Sequence, residues 1–388
     1  MPVSNNYLSS QKEKYEVISL NLLVCDDCTF LQLSESSDPK THFNSTYPYY
    51  SGYSTTWKIH CASLASHLKT NLGLCQGDKV FEIASNDGTL LREFKDNGLQ
   101  VLGIEPSINV ANVAIDNGLA TIVDFFSYEL SKEIEKNEGY PKLIIGCNVL
   151  AHVPDIRDFL KGVGNLMSAE TIACFEFPHA AKMIKYNQFD TIYHEHYSYL
   201  NITSLTPILT DFELEIFKVE EHDLHGGSLR VYIKRKDSNF KIEKSVNEIL
   251  QFEEIYSPLN PKIRNDFNTS VNAIATSLVS YLRLLTKENK AVIIFGAAAK
   301  GTTLLNFARI NSNDVIFAVD SSKAKQGKYI PGTEILINAP EVLEKMDVDA
   351  VLILAWNFAD EIIEIVKSIC KKLPLVLIPI PEFKVIEL

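Results

Sequence analysis

The 388-residue chain has no long hydrophobic run, and nothing in it approaches the roughly 18 consecutive apolar residues that span a bilayer. Its polar start, MPVSNNYLSSQKEKY, lacks the charged-then-apolar build of a signal peptide. Together these absences predict a cytoplasmic protein with no membrane partner. Basic charge is in short supply as well: 37 Lys and Arg stand against 49 Asp and Glu, a formal net charge of -12. A surface of that sign repels nucleic acid and anionic lipid over a Debye length, which argues against a bulk affinity for either. An anionic small molecule stays admissible wherever cations gather locally. The seven cysteines (Cys25, Cys28, Cys61, Cys75, Cys147, Cys174 and Cys370) are odd in number and scattered, so they do not read as a disulfide framework. Only Cys25 and Cys28 have metal-ligand spacing, whereas a tetrahedral zinc site usually draws on two such pairs. From the residues alone, zinc and a plain reduced turn both stand open. The sequence leaves the oligomeric state open too.

What is present is a repeating α/β pattern. Residues 1–54 hold one strand-like run, YEVISLNLLVCDDCTFLQL, and an aromatic stretch, STYPYYSGYS. From Trp57 onward, short apolar runs alternate with stretches of helical spacing: KVFEIA (79–84), QVLGIEP (100–106), ATIVDF (120–125), PKLIIGCNVL (141–150) and TIACFEFP (171–178). Runs of that kind predict parallel strands buried on both faces. Two strand-like runs around a His-Gly-Gly turn (212–235) predict an antiparallel hairpin closing that sheet. After a helical segment broken at Pro258 and Pro261, a second α/β series begins, with strands expected in 291–308, 314–322, 349–356 and 374–381. The expected organisation is an N-terminal segment (1–54), a Rossmann-like domain (55–236) and a second Rossmann-like α/β domain (237–388).

The first sheet opens with FEIASNDGTLL. A strand ending in an acid, a small-residue turn and a helix is the usual first unit of a fold that binds an adenosyl group. Its turn carries one glycine, Gly88, where a pyrophosphate-binding turn carries three, which disfavours NAD. S-adenosylmethionine has no phosphate and tolerates such a turn. The expected cofactor residues are Glu82, Ser85, Asn86, Asp87 and Gly88, with Glu105 placed to accept hydrogen bonds from both ribose hydroxyls. Asp124 is expected near the adenine, and Asn148 on the carboxyl edge of the sheet, where ligands bind in open α/β folds. Five parallel strands and a terminal hairpin are the topology of class I methyltransferases.

Six of the nine histidines lie between residues 152 and 225. The stretch Tyr193-His194-Glu195-His196-Tyr197 concentrates proton carriers, and general acid–base chemistry explains it better than a metal, since an i, i+2 pair supplies two ligands on one face. Oxygen and nitrogen attack a sulfonium methyl with little help. A carbon nucleophile needs a base and a group to stabilise its enolate. In the second sheet, Gly296 and Gly301 bracket a turn whose Lys300 precedes the second glycine, contrary to a P-loop. A glycine turn at a helix N-terminus still makes an anion site, suited to a diphosphate, and Lys323, Lys325 and Lys328 follow the next strand.

The motifs FEIASNDGTLL, NVLAHVPD, DTIYHEHYSYL, HGGSLR, GAAAKGTTLLN, KQGKYIPGT and LILAWNFADEI occur here in this order. From Ile18 to the C-terminus the chain resembles S-adenosylmethionine-dependent sugar C-methyltransferases, which act on nucleotide-linked 4-keto-deoxysugars such as precursors of mycarose and tetronitrose. The resemblance implies that His196 is the base removing the proton at sugar C3, with Tyr193, Glu195, His152 and Tyr47 beside it. It places the nucleotide diphosphate near Lys300, Thr302, Asn306 and Ser321 to Lys325, and His225 of the HGGSLR motif on the substrate side. Family members carry two Cys-x-x-Cys pairs in a zinc-binding N-terminal domain, and this chain has the second pair only. Two other readings are an NAD-dependent epimerase or ketoreductase on the same sugars, and a non-catalytic nucleotide-sugar-binding subunit.

Overall fold

The computed structural model describes residues 1–35, 37–223 and 226–388. The N-terminal run is a hairpin of β1 (Leu22–Val24) and β2 (Leu31–Leu33). It was expected as one strand, but Cys25-Asp-Asp-Cys28 reverses the chain, helped by Thr29 at φ 61. A single turn α1 (Pro39–His42) precedes α2 (Thr55–Asn71), whose start is capped by the Ser54 hydroxyl accepting the Trp57 N–H at 3.1 Å.

The alternating pattern then produces β3 (Lys79–Ile83), α3 (Thr89–Asp96), β4 (Gln100–Ile104), α4 (Ile108–Asp116), β5 (Thr121–Ile122), α5 (Tyr128–Glu138), β6 (Leu143–Cys147), α6 (Ile156–Asn165), β7 (Ile172–Pro178) and α7 (Ala180–Lys185). Next come β8 (Ser198–Tyr199), α8 (Ile202–Thr210), β9 (Leu214–His222) and β10 (Ser228–Arg235). Seven of these strands form one sheet in the order β5-β4-β3-β6-β7-β10-β9, parallel except for the closing hairpin, in which β10 runs antiparallel to both β7 and β9. That order is the class I methyltransferase sheet. Alternate residues serve opposite faces: Phe81, Ile83, Ile144 and Phe175 enter one core, and Val80, Leu143, Ile145 and Cys174 enter another under α2. Burial on both faces is why these strands read as continuous apolar runs. The third strand is shorter than expected from 120–125 and ends at Ile122.

β8 belongs to a different sheet. It pairs with β2, so the order there is β1-β2-β8, and the histidine-rich stretch is joined by backbone hydrogen bonds to the N-terminal hairpin.

Helices α9 (Lys244–Ile255) and α10 (Pro261–Lys287) are separated at the expected prolines, Asn260 capping α10 and Pro261 occupying its first turn. The last third holds β11 (Val292–Phe295), α11 (Ala299–Ala308), β12 (Ala318–Val319), β13 (Tyr329–Ile330), β14 (Ile335–Asn338), β15 (Ala350–Ile353), α12 (Ala359–Ile369), β16 (Leu375–Ile378) and β17 (Lys384–Glu387). Its seven-stranded order is β13-β14-β12-β11-β15-β16-β17. Four strands were expected; β13, β14 and β17 are additional, and β13 and β17 are antiparallel edges too short or too polar to announce themselves. Among the described residues no helix is long and apolar enough to cross a membrane.

Candidate active site

The carboxyl ends of β3 and β4 meet at the expected acids. Glu105 is buried and braced: one carboxylate oxygen accepts the Asn86 N–H at 3.0 Å, the other the Ser107 N–H at 2.8 Å. Burial raises its pKa while those amides hold it back. Each oxygen keeps a second lone pair for a ribose hydroxyl. Glu82 is also buried, and burial, then Asp87 and Glu105, push its pKa well above the usual carboxylate range. Its Oε2 has no hydrogen-bond partner among the described residues, nor has the Ser107 hydroxyl. Unpaired buried oxygens near the end of β3 and at the start of α4 fit a ligand carrying donors, as the ammonium and ribose of S-adenosylmethionine do. Backbone strain gathers here too, with Ala84 at φ 60, Asn86 at φ 49 and Asn148 at φ 57.

Other expected cofactor residues serve the turn itself. Gly88 adopts φ 77 and a Cβ there would collide with Leu119, so glycine is needed for chain direction and close packing. The Ser85 hydroxyl lies against Gly103 of β4, turned between strands. Asp124 is exposed beyond β5 and accepts its neighbour Phe125's N–H at 2.7 Å. Asn86 and Asp87 do something the sequence did not announce: they hold down the aromatic stretch. Asn86 accepts the Ser51 N–H at 2.9 Å and donates to the Tyr49 carbonyl at 3.2 Å, and Asp87 accepts the Gly52 N–H at 2.8 Å. The N-terminal aromatic segment therefore roofs the cofactor turn.

The acid–base residues converge at the same edge. The ring of His196 lies 4.7 Å from that of His152 and 4.1 Å from that of Tyr193, centroid to centroid. His196 Nδ1 is 3.0 Å from the Thr191 carbonyl, which can only accept, so Nδ1 carries the proton and Nε2 accepts from the Tyr193 hydroxyl at 2.8 Å. By the same logic His152 Nδ1 donates to the Glu195 carbonyl at 2.8 Å, and burial lowers its pKa to about 4, keeping it neutral. Tyr193 and Tyr47 are phenols whose pKa burial drives up, with Glu195 adding to both. The Tyr47 ring packs at a tilt against Phe43, and Phe43 meets His152 edge-on at 5.5 Å. Glu195, 3% exposed, has its pKa raised to about 7 by burial, and Asn5 donates to it at 2.5 Å. His194 faces away, to the Ile18 carbonyl at 3.3 Å.

On the C-terminal side, Lys300 stands at the start of α11 with its ammonium 4.0 Å from the Trp356 ring centroid and bonded to the Asn357 side chain. Burial lowers its pKa to about 8. Beside it, fully buried Asp190 accepts the Trp356 indole N–H at 2.7 Å, and burial raises its pKa to about 6. Thr302 and Asn306 brace the protein in this geometry: Thr302 donates to the Ser4 carbonyl at 3.3 Å, and Asn306 donates to the Thr302 and Pro331 carbonyls. Lys325 reaches Asp320 at 3.2 Å and the Ala297 carbonyl at 3.0 Å, while Ser321 is exposed. His225 lies outside the described residues. Cys25 and Cys28 are free thiols, and among the described residues no group of three potential metal ligands gathers around them, a donor set too small for closed tetrahedral zinc. Asn5, Tyr7, Asp190 and Trp356 were not singled out; they act across contacts remote in sequence, and the quoted motifs hinted only at Asp190, in DTIYHEHYSYL, and Trp356, in LILAWNFADEI.

Comparison with known proteins finds the family of the chain. Residues 59–219 match a methyltransferase domain family, and residues 223–381 match the family described as C-methyltransferase C-terminal domain. The chain is 31% identical to the C-methyltransferase NovU of Streptomyces niveus over its whole length, covering 92% of that protein. Among solved structures, magnesium protoporphyrin IX methyltransferase (ChlM) of Synechocystis PCC 6803 is 14% identical with a TM-score of 0.35, covering 46% of this chain and 79% of that one. The PH0226 protein of Pyrococcus horikoshii OT3 is 12% identical with a TM-score of 0.38, over 48% and 94% respectively. A class I methyltransferase sheet takes its methyl group from S-adenosylmethionine. Two domain families in the right order and a relative matched end to end make the chain a member of the C-methyltransferase family.

Proposed function

We propose that this enzyme methylates carbon C3 of a nucleotide-linked 4-keto-deoxysugar, with His196 as the base. The observation that carries the reading is the Tyr193–His196–His152 cluster at the sheet edge, a proton-handling site more elaborate than an oxygen nucleophile requires. The cofactor supplies an electrophilic methyl group when bound. Glu105 would hold its ribose and Glu82 its amino group, under the roof formed by residues 49–52. As the sugar enters, the Tyr193 hydroxyl leaves His196 Nε2 and turns to the C4 oxygen. The freed lone pair takes the proton from C3, the C–H electrons pass into the enolate, and Tyr193 donates a hydrogen bond to the forming oxyanion. Negative charge on Glu195 favours the imidazolium so produced. The neutral ring of His152 closes the other side of the pocket. Lys300, near the N-terminus of α11, would meet the diphosphate.

The test is His196→Asn, assayed with labelled S-adenosylmethionine against dTDP-, GDP- and CDP-linked 4-keto-deoxysugars. Both methyl transfer and solvent deuterium exchange at C3 should vanish. Exchange at the wild-type rate in that variant would remove His196 as the base.

A further inference from the structure

Residues Pro2 to Leu8 form a strap laid over the C-terminal sheet. Leu8 pairs with Tyr329 through two backbone hydrogen bonds of 3.0 and 2.8 Å, the Ser4 carbonyl accepts from Thr302, and the Tyr7 hydroxyl donates to the Ala297 carbonyl at 2.5 Å in the glycine turn before α11. Pro2 bridges back to Val17, which closes the strap into a loop. Between these anchors Asn5 points the other way, and its amide donates to Glu195 Oε1 at 2.5 Å. Among the described residues Asn5 supplies the side-chain donor that reaches this buried carboxyl. The strap thus ties a group of the acid–base centre to the sheet that carries Lys300, from a position 190 residues away in sequence.

We infer that Asn5 is a positioning residue for Glu195: held by the strap, its amide fixes the carboxyl's orientation and favours its charged form at neutral pH. The inference rests on the proposed role of Glu195 charge in the proton transfer. Burial alone opposes ionisation here, and a hydrogen bond to the charged form counteracts it. The other ionisable groups near this carboxyl are Tyr7 on the strap, Tyr47 on the aromatic stretch, and Tyr193 and Tyr197 on its own segment, each a phenol with its pKa raised by burial and so uncharged around neutrality. The ring of His152, which bonds the Glu195 backbone, is neutral there as well, and so is the ring of His196 in the resting enzyme, with Nδ1 donating to the Thr191 carbonyl and Nε2 accepting from Tyr193. With these groups uncharged, Asn5 sets the balance.

The experiment uses the full-length protein and two readouts. The carboxyl stretch of Glu195, assigned by difference against Glu195→Gln, is titrated by infrared spectroscopy, and the pH profile of kcat is recorded for wild type, Asn5→Ala and Asn5→Gln. Asn5→Ala should move the Glu195 midpoint upward by about one to two pH units, the size that a hydrogen bond to a charged group carries. The acid limb of the kcat profile should follow, and Asn5→Gln, which keeps the amide, should recover at least half of the shift. An unmoved Glu195 midpoint in Asn5→Ala overturns the inference. So does an equal shift in Asn5→Gln, which would mark a merely structural role. If the infrared midpoint moves and the kcat profile does not, Asn5 controls Glu195 as inferred, and the part given to Glu195 in the proposed chemistry falls. If Asn5→Ala does not fold, Asn5→Leu, which keeps the shape of the side chain and has no donor, takes its place under the same criteria: an upward shift of the Glu195 midpoint supports the inference and an unmoved midpoint overturns it.

Discussion

Replacing Glu195 with Gln should make the protein more stable in mild alkali while removing its activity. The carboxyl is 3% exposed, and burial moves its pKa from the ordinary 4.5 to about 7. The native state therefore binds this proton more tightly than the unfolded chain does. Below pH 4.5 both states hold it and nothing is lost. Between 4.5 and 7 the unfolded chain has released its proton and the native chain has not, so stability falls as pH rises, and above 7 the loss is complete. At about 1.4 kcal/mol per pH unit, the gap corresponds to about 3 kcal/mol, most of it accumulating between pH 5 and 8. Gln keeps the shape and can still accept from Asn5, but it carries no charge to bury. Urea unfolding of both proteins at pH 5 and pH 8 should show the variant gaining about 2 to 3 kcal/mol on the wild type across that interval. Parallel stability curves for the two proteins would refute the account of Glu195 as a strained buried acid.

Two further outcomes follow from the cofactor turn and the domain contact. Glu105→Gln should weaken S-adenosylhomocysteine about ten- to hundredfold by calorimetry, because a hydrogen bond to a charged acceptor contributes about 1.5–3 kcal/mol; NADH should give no heat with either protein, and an equally tight variant would move the ribose elsewhere. Trp356→Phe deprives buried Asp190 of its indole donor, at a cost of about 1–3 kcal/mol of unfolding free energy, and should raise the Asp190 pKa further; unchanged stability would mean another donor takes its place.

The large features of this molecule were written locally. Continuous apolar runs such as KVFEI and LIIGC marked strands covered on both faces, and acids at the ends of two adjacent strands marked the edge proposed for the cofactor, because strand ends and turns are fixed by neighbours in sequence. The stretch proposed to handle protons stood out for the same reason: its five side chains follow one another in a row. What escaped reading depends on partners far away. Asn5 is an ordinary asparagine until the fold carries it to Glu195, and Asp190 is an ordinary acid until Trp356 reaches it across 166 residues. Asn86 and Asp87 were read correctly as members of the turn, yet their side chains turn outward to residues 49–52, a choice that only the packed aromatic segment dictates. Edge strands β13 and β17 fail for a different reason: pairing on one side alone asks little of composition.

The pairing of β8 with β2 divides labour in an unexpected way. The acids proposed to hold the methyl donor stand on a sheet whose strands all lie beyond the first fifty positions, whereas the stretch proposed to move protons is stitched to a hairpin made from those positions. Shorten the chain to begin at Thr55 and the seven-stranded sheet keeps its strands, losing only the roof of residues 49–52, but the Tyr193–Tyr197 stretch loses the strand that keeps it in line. On the proposed chemistry, holding the reagent and using it thus lean unequally on the N-terminal hairpin.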